Sequence, residues 1–408
     1  MSPISRVVID VVKNKMSGER PMPKCLYIIL ITSSLIIIVF FLIKQNLDYI
    51  QSKPFKVKFW NNAFIHDNFT REERTQIMCI NGTTSTIISS SRPVNPSHVC
   101  HNKISHLKSY CDLIPNPNHN WVSAKRYKES DLMFIIVSGA KFYHTRAMTV
   151  RDTWLSRVTN YYILSSTPYS YLPVTVIPNT GEDYLSNMKK TFYGMPVIYK
   201  EQLAKPVEMR QKWFYLIGDD TYVNVRHLIK RLDPYDYQQA YFVGGSSGKE
   251  VCYEVDGTRN PITFGGGGAG LLFSWKLFEL LQPNLTDYVD NKWVKTNAMS
   301  DVAIACLIQR VGYQLTYVNG FWPLTPARMV QLSGRAAMNQ DPEPNNFHYV
   351  QPPEMIDLDE FYSFQYIDRL ANDQNLQELT EFTRLFVKKY YELVRKKQKE
   401  CTLPPITS

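Results

Sequence analysis

The chain has 408 residues, 44% of them hydrophobic and 13% aromatic, which is enough apolar material for a large core and excludes general disorder. Its formal charge of +9 is spread along the chain, and no Arg/Lys run interleaved with aromatics marks a nucleic-acid module. An anionic membrane surface or a nucleotide diphosphate remains a suitable partner for that charge.

Residues 26–43 carry no charge and are bracketed by Lys24 and Lys44. Eighteen residues at 1.5 Å each make roughly 27 Å of helix, close to the hydrocarbon thickness of a bilayer. A cleaved signal peptide competes with this reading, but 25 residues precede the segment and no small-residue cleavage site follows. A buried core helix would carry a polar stripe that is absent here. The segment therefore reads as a signal-anchor behind a cytoplasmic tail, residues 1–25. The Lys/Arg bias across it is slight. Beyond it lie the glycosylation sequons at Asn68, Asn81 and Asn284, and six cysteines, which allow three disulfides in fifteen pairings. These favour a luminal C-terminal part, although Cys306, in an apolar run, also suits a small buried residue.

Residues 44–130 read as a stem and a cysteine-containing cap, with a Ser/Thr/Pro-rich tether at 83–97. From residue 131 the texture changes. The apolar run 132–138 predicts a strand buried on both faces, and 146–157 predicts a helix presenting Ala147, Val150 and Trp154. Strands are expected at 161–165, 174–177, 196–199 and 213–217, the last ending at Gly218-Asp219-Asp220 before an amphipathic helix at 224–232. The alternation predicts an α/β fold with a mostly parallel sheet and flanking helices, ligands lying beyond the carboxyl ends of the strands. A glycine run at 265–270 feeds another strand. Residues 300–311 predict a helix N-capped by Ser300 or Asp301, and 375–398 a basic amphipathic helix packed on the domain. The domain is placed at 131–330 and a C-terminal extension at 331–408. Taken alone, an Asp pair after a strand is most often a turn or a helix cap.

Four segments in order resemble the Fringe-like and core 1 galactosyltransferase group of inverting β-1,3-glycosyltransferases. They are RAMTVRDTWLSR (146–157), WFYLIGDDTYVNVRHL (213–228), GGAG (267–270) and SDVAIACLI (300–308). The resemblance implies a GT-A-like, Rossmann-like domain. It also implies transfer of a hexose, galactose ahead of N-acetylglucosamine, from a UDP-sugar to a glycan or glycoprotein hydroxyl. The setting implied is the Golgi membrane (or the endoplasmic reticulum), in single-pass type II orientation. It gives Asp301 the role of catalytic base and Asp220 that of Mn²⁺ ligand. Asp219, Gly267, Gly268 and Arg146 would face the sugar nucleotide.

The chain departs from the family pattern at three points. Gly218 stands where a third aspartate is usual, and Phe321-Trp322-Pro323 stands where a metal-binding F-H-P segment is expected; indole cannot ligate a cation. The connection 199–213 is shorter than the helix-containing one usual in the family. Arg328 is a candidate substitute cation for the diphosphate. A non-catalytic binding module or chaperone of the secretory pathway is the alternative these departures support.

Overall fold

The computed structural model describes residues 107–115, 122–254, 256–293 and 299–401. The apolar segment 26–43, most of the stem, the sequons Asn68 and Asn81, and Cys79 and Cys100 lie outside the described residues. Among the described residues no helix is long and apolar enough to cross a membrane. The described elements up to Tyr390 form one unit.

A short helix α1 (Lys108–Leu113) precedes strand β1 (Leu132–Val137), whose apolar run is continuous because helices cover both sheet faces. The expected helix at 146–157 is broken instead. A π-helical turn (Tyr143–Ala147), α2 (Met148–Asp152) and a 3-10 turn (Trp154–Arg157) follow one another, with Thr153 out of helical conformation between the last two. Ala147, Val150 and Trp154 are nevertheless all buried. Strands β2 (Tyr161–Ser165) and β3 (Val174–Val176) come next, and then α3 (Tyr184–Leu203).

Helix α3 overturns the strand expected at 196–199. Asp183 caps it by accepting from the Ser186 N–H, and Met188, Phe192, Met195 and Ile198 recur on one buried stripe. That stripe outweighs Pro196, whose missing N–H leaves one carbonyl of the helix unpaired. In this chain a helix, α3, directly precedes and enters the short 199–213 connection. Gly194 lets α3 approach β2 closely: a Cβ there would lie 2.5 Å from Leu164 Cδ1.

The chain continues through β4 (Trp213–Gly218), β5 (Tyr222–Val223), α4 (Val225–Leu232), β6 (Phe242–Gly244), β7 (Ser246–Tyr253), β8 (Arg259–Gly265) and β9 (Leu271–Ser274). After α5 (Trp275–Leu281) and α6 (Ser300–Arg310) come β10 (Leu315–Tyr317), β11 (Phe321–Trp322), α7 (Pro326–Gln340), β12 (Asn346–Phe347), α8 (Pro352–Asn372) and α9 (Leu376–Cys401). The main sheet has seven strands in the order β10-β6-β9-β4-β1-β2-β3, parallel except for β9. A mixed, mostly parallel α/β fold is therefore observed.

Period-two alternation divides the core between the sheet's two faces. Leu132, Phe134 and Ile136 of β1, with Trp213, Tyr215 and Ile217 of β4, pack with Val150, Trp154, Leu228 and Phe361. Met133, Ile135, Phe214 and Leu216 pack on the other face with α3, α5 and α6. The core runs on past residue 330, because Met338, Phe347, Leu358 and Phe361 share the first cluster. Arg157 donates from Nη1 to Asp359 Oδ2 at 2.9 Å, tying α8 to the turn after α2.

Cys306 proves to be disulfide-bonded to Cys252, linking α6 to β7 across a sequence separation of 54. Both cysteines are buried, and Cys111 is disulfide-bonded as well. Closing a loop of that length stabilises by about 4 kcal/mol in the chain-entropy account. Replacing Cys252 and Cys306 together by Ser is expected to lower the urea midpoint of unfolding, at a cost of about 2–4 kcal/mol. An unchanged midpoint would show that this link contributes nothing.

Candidate active site

The strand order reverses between β1 and β4, the place where open α/β sheets bind ligands beyond their carboxyl ends. Val137 pairs with Gly218 across these strands, so the residues that follow each strand meet. Ser138 Oγ donates to Asp219 Oδ2 at 2.7 Å. Behind Ser138, the fully buried Lys190 donates from Nζ to the Ser138 carbonyl at 3.0 Å and lies 3.5 Å from Glu182. A buried ammonium needs such a partner, and the carboxylate and carbonyl provide it.

The segment 146–157 serves the Asp pair directly. Arg146 Nη1 lies 3.1 Å from Asp220 Oδ2 and 3.8 Å from Asp219 Oδ1. Its guanidinium stacks over the Phe142 ring, 4.3 Å from the centroid. Eight residues on, Trp154 Nε1 donates to the Thr221 carbonyl at 3.0 Å, holding the turn that carries both aspartates. Arg146 and the Asp pair are thus brought together as the sequence anticipates.

The structure brings to Asp220 an imidazole that sequence reasoning passed over, His348. Trp322 lies in β11 beside Phe347 of β12, and His348 follows one residue later with its Nε2 3.3 Å from Asp220 Oδ1. The Phe347-His348 pair was the available signal, one strand beyond the Phe321-Trp322-Pro323 segment that drew attention. His348 Nδ1 lies 3.3 Å from the Pro323 carbonyl, and an N–H donated there leaves the Nε2 lone pair facing Asp220. Two acceptors at that separation require a proton or a cation between them.

The two carboxyls of the pair diverge. Burial pushes the Asp219 carboxyl up to about 7, only partly offset by the Ser138 hydrogen bond, and the neighbouring Asp220 charge adds to the rise. Burial alone would raise Asp220 too, but with a proton between the two side chains the His348 hydrogen bond and charge, followed by the Arg146 charge, outweigh it and hold its carboxyl below the usual range.

Asp301 lies in the first turn of α6, whose N-cap is Met299, so neither Ser300 nor Asp301 caps the helix. Its Oδ2 accepts from the Gly267 N–H at 2.9 Å and its Oδ1 from the Val302 N–H at 2.9 Å. Gly267 and Gly268 form the bridge between the two carboxylate centres. A Cβ on Gly268 would lie 1.9 Å from His348 Cε1, and the Gly268 carbonyl accepts from Thr221 Oγ1 at 2.8 Å. Gly270, at φ +89°, has room for no side chain against Tyr215. Arg328 does not join this group. Its side chain is exposed at the start of α7, where Nη1 donates to Gln331 Oε1, and the cation at the aspartates is Arg146.

Asp220 and His348 are the residues whose donors suit a divalent ion. Two ligands about 2.1 Å from an octahedral ion, at adjacent corners, lie about 3 Å apart, close to the 3.3 Å observed. Among the described residues no group of three or more His, Cys, Asp or Glu side chains is arranged to hold a metal. Asp220 and His348 alone would leave most of an ion's shell to substrate oxygens.

Gly268→Ala is expected to displace His348 and abolish metal-dependent UDP binding while leaving the far-ultraviolet circular dichroism unchanged. Retained Mn²⁺-dependent binding in a titration would remove the glycine turn from the site. The raised pKa of Asp219 has a sign that can be checked. Its contribution to stability is present below the unfolded value near ~3.9 and is lost as pH rises through about 7. The stability of the parent chain relative to Asp219→Asn should therefore fall between those limits, and a flat difference would contradict the burial argument.

A family model described as Fringe-like matches residues 127–364. The β-1,3-N-acetylglucosaminyltransferase lunatic fringe of Danio rerio is 26% identical over 205 residues, 47% of this chain and 54% of its own length. Lunatic fringe of Xenopus laevis is 25% identical over 232 residues, 54% and 61% of the respective lengths. Radical fringe of Gallus gallus is 29% identical over 173 residues, 40% and 45%. The chain thus spans about half the length of the curated relatives it matches. A solved glycosyltransferase involved in glycosylation of the major capsid of PBCV-1 covers 56% of this chain and 98% of its own, at 11% identity and a TM-score of 0.35. With the model spanning both aspartate centres, the glycine turn and His348, the chain belongs to the Fringe-like family.

Proposed function

We propose that this chain is an inverting β-1,3-hexosyltransferase that uses a UDP-sugar donor. The observation that carries the reading is the convergence of Asp220, His348 and Arg146 with the tightly packed glycine turn that leads to Asp301. Asp220 and His348 would hold Mn²⁺ or Mg²⁺, which when bound supplies the positive charge that a departing diphosphate needs. Arg146 orients the Asp220 carboxylate from its other oxygen and, after His348, adds to what holds it ionised. Gly267 and Gly268 let backbone approach the nucleotide.

Asp301 would take the proton of the attacking acceptor hydroxyl. Its carboxylate accepts two backbone N–H bonds, which fix its orientation, and of about four lone-pair sites two remain for that proton. A base and a leaving-group cation flanking one sugar carbon favour single displacement, giving a β-linkage from an α-linked donor.

The acceptor is a glycan or glycoprotein hydroxyl. For the donor, the sequence expectation puts galactose ahead of N-acetylglucosamine, while N-acetylglucosamine is the sugar in the names of the relatives. The setting proposed is the Golgi membrane, with segment 26–43 as a type II anchor and the domain in the lumen. The disulfides support an oxidising compartment. The non-catalytic alternative rested on Gly218 in place of a third aspartate and Trp322 in place of an imidazole. His348 beside Asp220 supports a substitute for the second, while Gly218 stays a departure.

Asp301→Asn is expected to lower kcat by about 10²–10⁴-fold, with the UDP dissociation constant unchanged. The check is transfer from UDP-galactose and UDP-N-acetylglucosamine to a panel of aryl glycosides, alongside Mn²⁺-dependent UDP titration. Full activity of the variant with either donor would remove Asp301 as the base. Failure of the parent chain to bind UDP with or without Mn²⁺ would establish the non-catalytic reading.

A further inference from the structure

We propose that Asn284 carries an N-linked glycan whose innermost N-acetylglucosamine seats in a cavity of the fold. The sequon Asn284-Leu285-Thr286 begins the helical turn after α5. Leu285 is fully buried and pins the turn to the core, whereas Thr286 is exposed. The Asn284 side chain makes no capping bond, and no hydrogen bond at all among the described residues. It lines a cavity of about 330 Å³, at the lower end of the volumes that hold small ligands.

The chemistry of the cavity suits an acetylated amino sugar. Tyr288 and Leu307 offer an apolar floor for the acetyl methyl group. Glu254 and Arg310, paired with each other at 3.2 Å, and Lys292 offer donors and acceptors for hydroxyls and the amide. The compartment is consistent too, since the Cys252–Cys306 bond forms in an oxidising one.

In the reaction, Asn284 Nδ2 forms a bond to C1 of the sugar and loses a proton. The bond from C1 to the diphosphate of a lipid-linked oligosaccharide breaks, and the lipid diphosphate leaves. Arg310 closes the helix whose first turn holds Asp301, nine residues away, which is about 14 Å along the axis. The glycan therefore stands off the candidate active site and buttresses the disulfide-linked face of β7 and α6.

The test uses the full chain expressed in glycosylation-competent cells. Release with peptide N-glycosidase F in ¹⁸O-water should leave ¹⁸O-labelled aspartate at position 284, and the label should be lost in both Asn284→Gln and Thr286→Ala. Unmodified asparagine at 284 in folded full chain recovered from the secretory membranes overturns the proposal. Seating is read on the parent protein, which requires no variant to fold. Trimming with endoglycosidase H, which leaves one sugar, should preserve the melting temperature, and complete removal should lower it. Equal melting temperatures after the two treatments overturn the seating.

Discussion

The candidate site depends on one constraint, the absence of side chains at Gly267, Gly268 and Gly270 in the turn that carries Ala269. Gly268 lies against the His348 ring, Gly270 against the Tyr215 ring, and the Gly267 N–H donates to Asp301. The Tyr215 hydroxyl in turn donates to the Ala269 carbonyl at 3.0 Å, so the centre of the sheet anchors the turn. A single Cβ would separate α6 from β12, and with them the residue proposed as base from those proposed to hold the ion. The glycines matter here for the distance of approach, and only Gly270 needs the left-handed conformation as well.

The charge distribution follows from where each group sits at the end of the sheet. Lys190 is buried beneath Ser138, Ser138 bonds Asp219, and Arg146 and His348 approach from the open side. Two neighbouring carboxyls consequently separate into one that burial favours as neutral and one that its partners keep ionised. An ionised Asp220 is what a cation requires. A largely neutral Asp219 limits the repulsion that two adjacent buried carboxylates would otherwise create.

Helix α6 connects these observations to the opposite side of the domain. Its first turn holds Asp301, its middle is linked through Cys306 to β7, and its last residue, Arg310, pairs with Glu254 at the cavity beside Asn284. A helix held at three points along its length is a stiff mount for a residue that has to face an acceptor. A sugar seated at the far end would add a fourth restraint without entering the site.

The sequence by itself determined the sheet's centre and the Asp turn, because β1 and β4 are local apolar runs whose type and length decide their state. It also placed Arg146, Asp219, Asp220, Gly267, Gly268 and Asp301 within recognisable segments. Only the tertiary structure decided the rest. That Cys252 pairs with Cys306 depends on β7 lying against α6, and Arg328 stands apart from the aspartates because its exposed side chain bonds Gln331 of its own helix. Residues 196–199 became helix through the contact of a stripe with the sheet, which local Pro196 chemistry argues against. His348 lies 128 residues beyond Asp220, just after a two-residue strand too short to have a periodicity. Its role exists only once β12 pairs with β5 and β11, since hydrogen bonds between distant segments are not written in the local pattern of either.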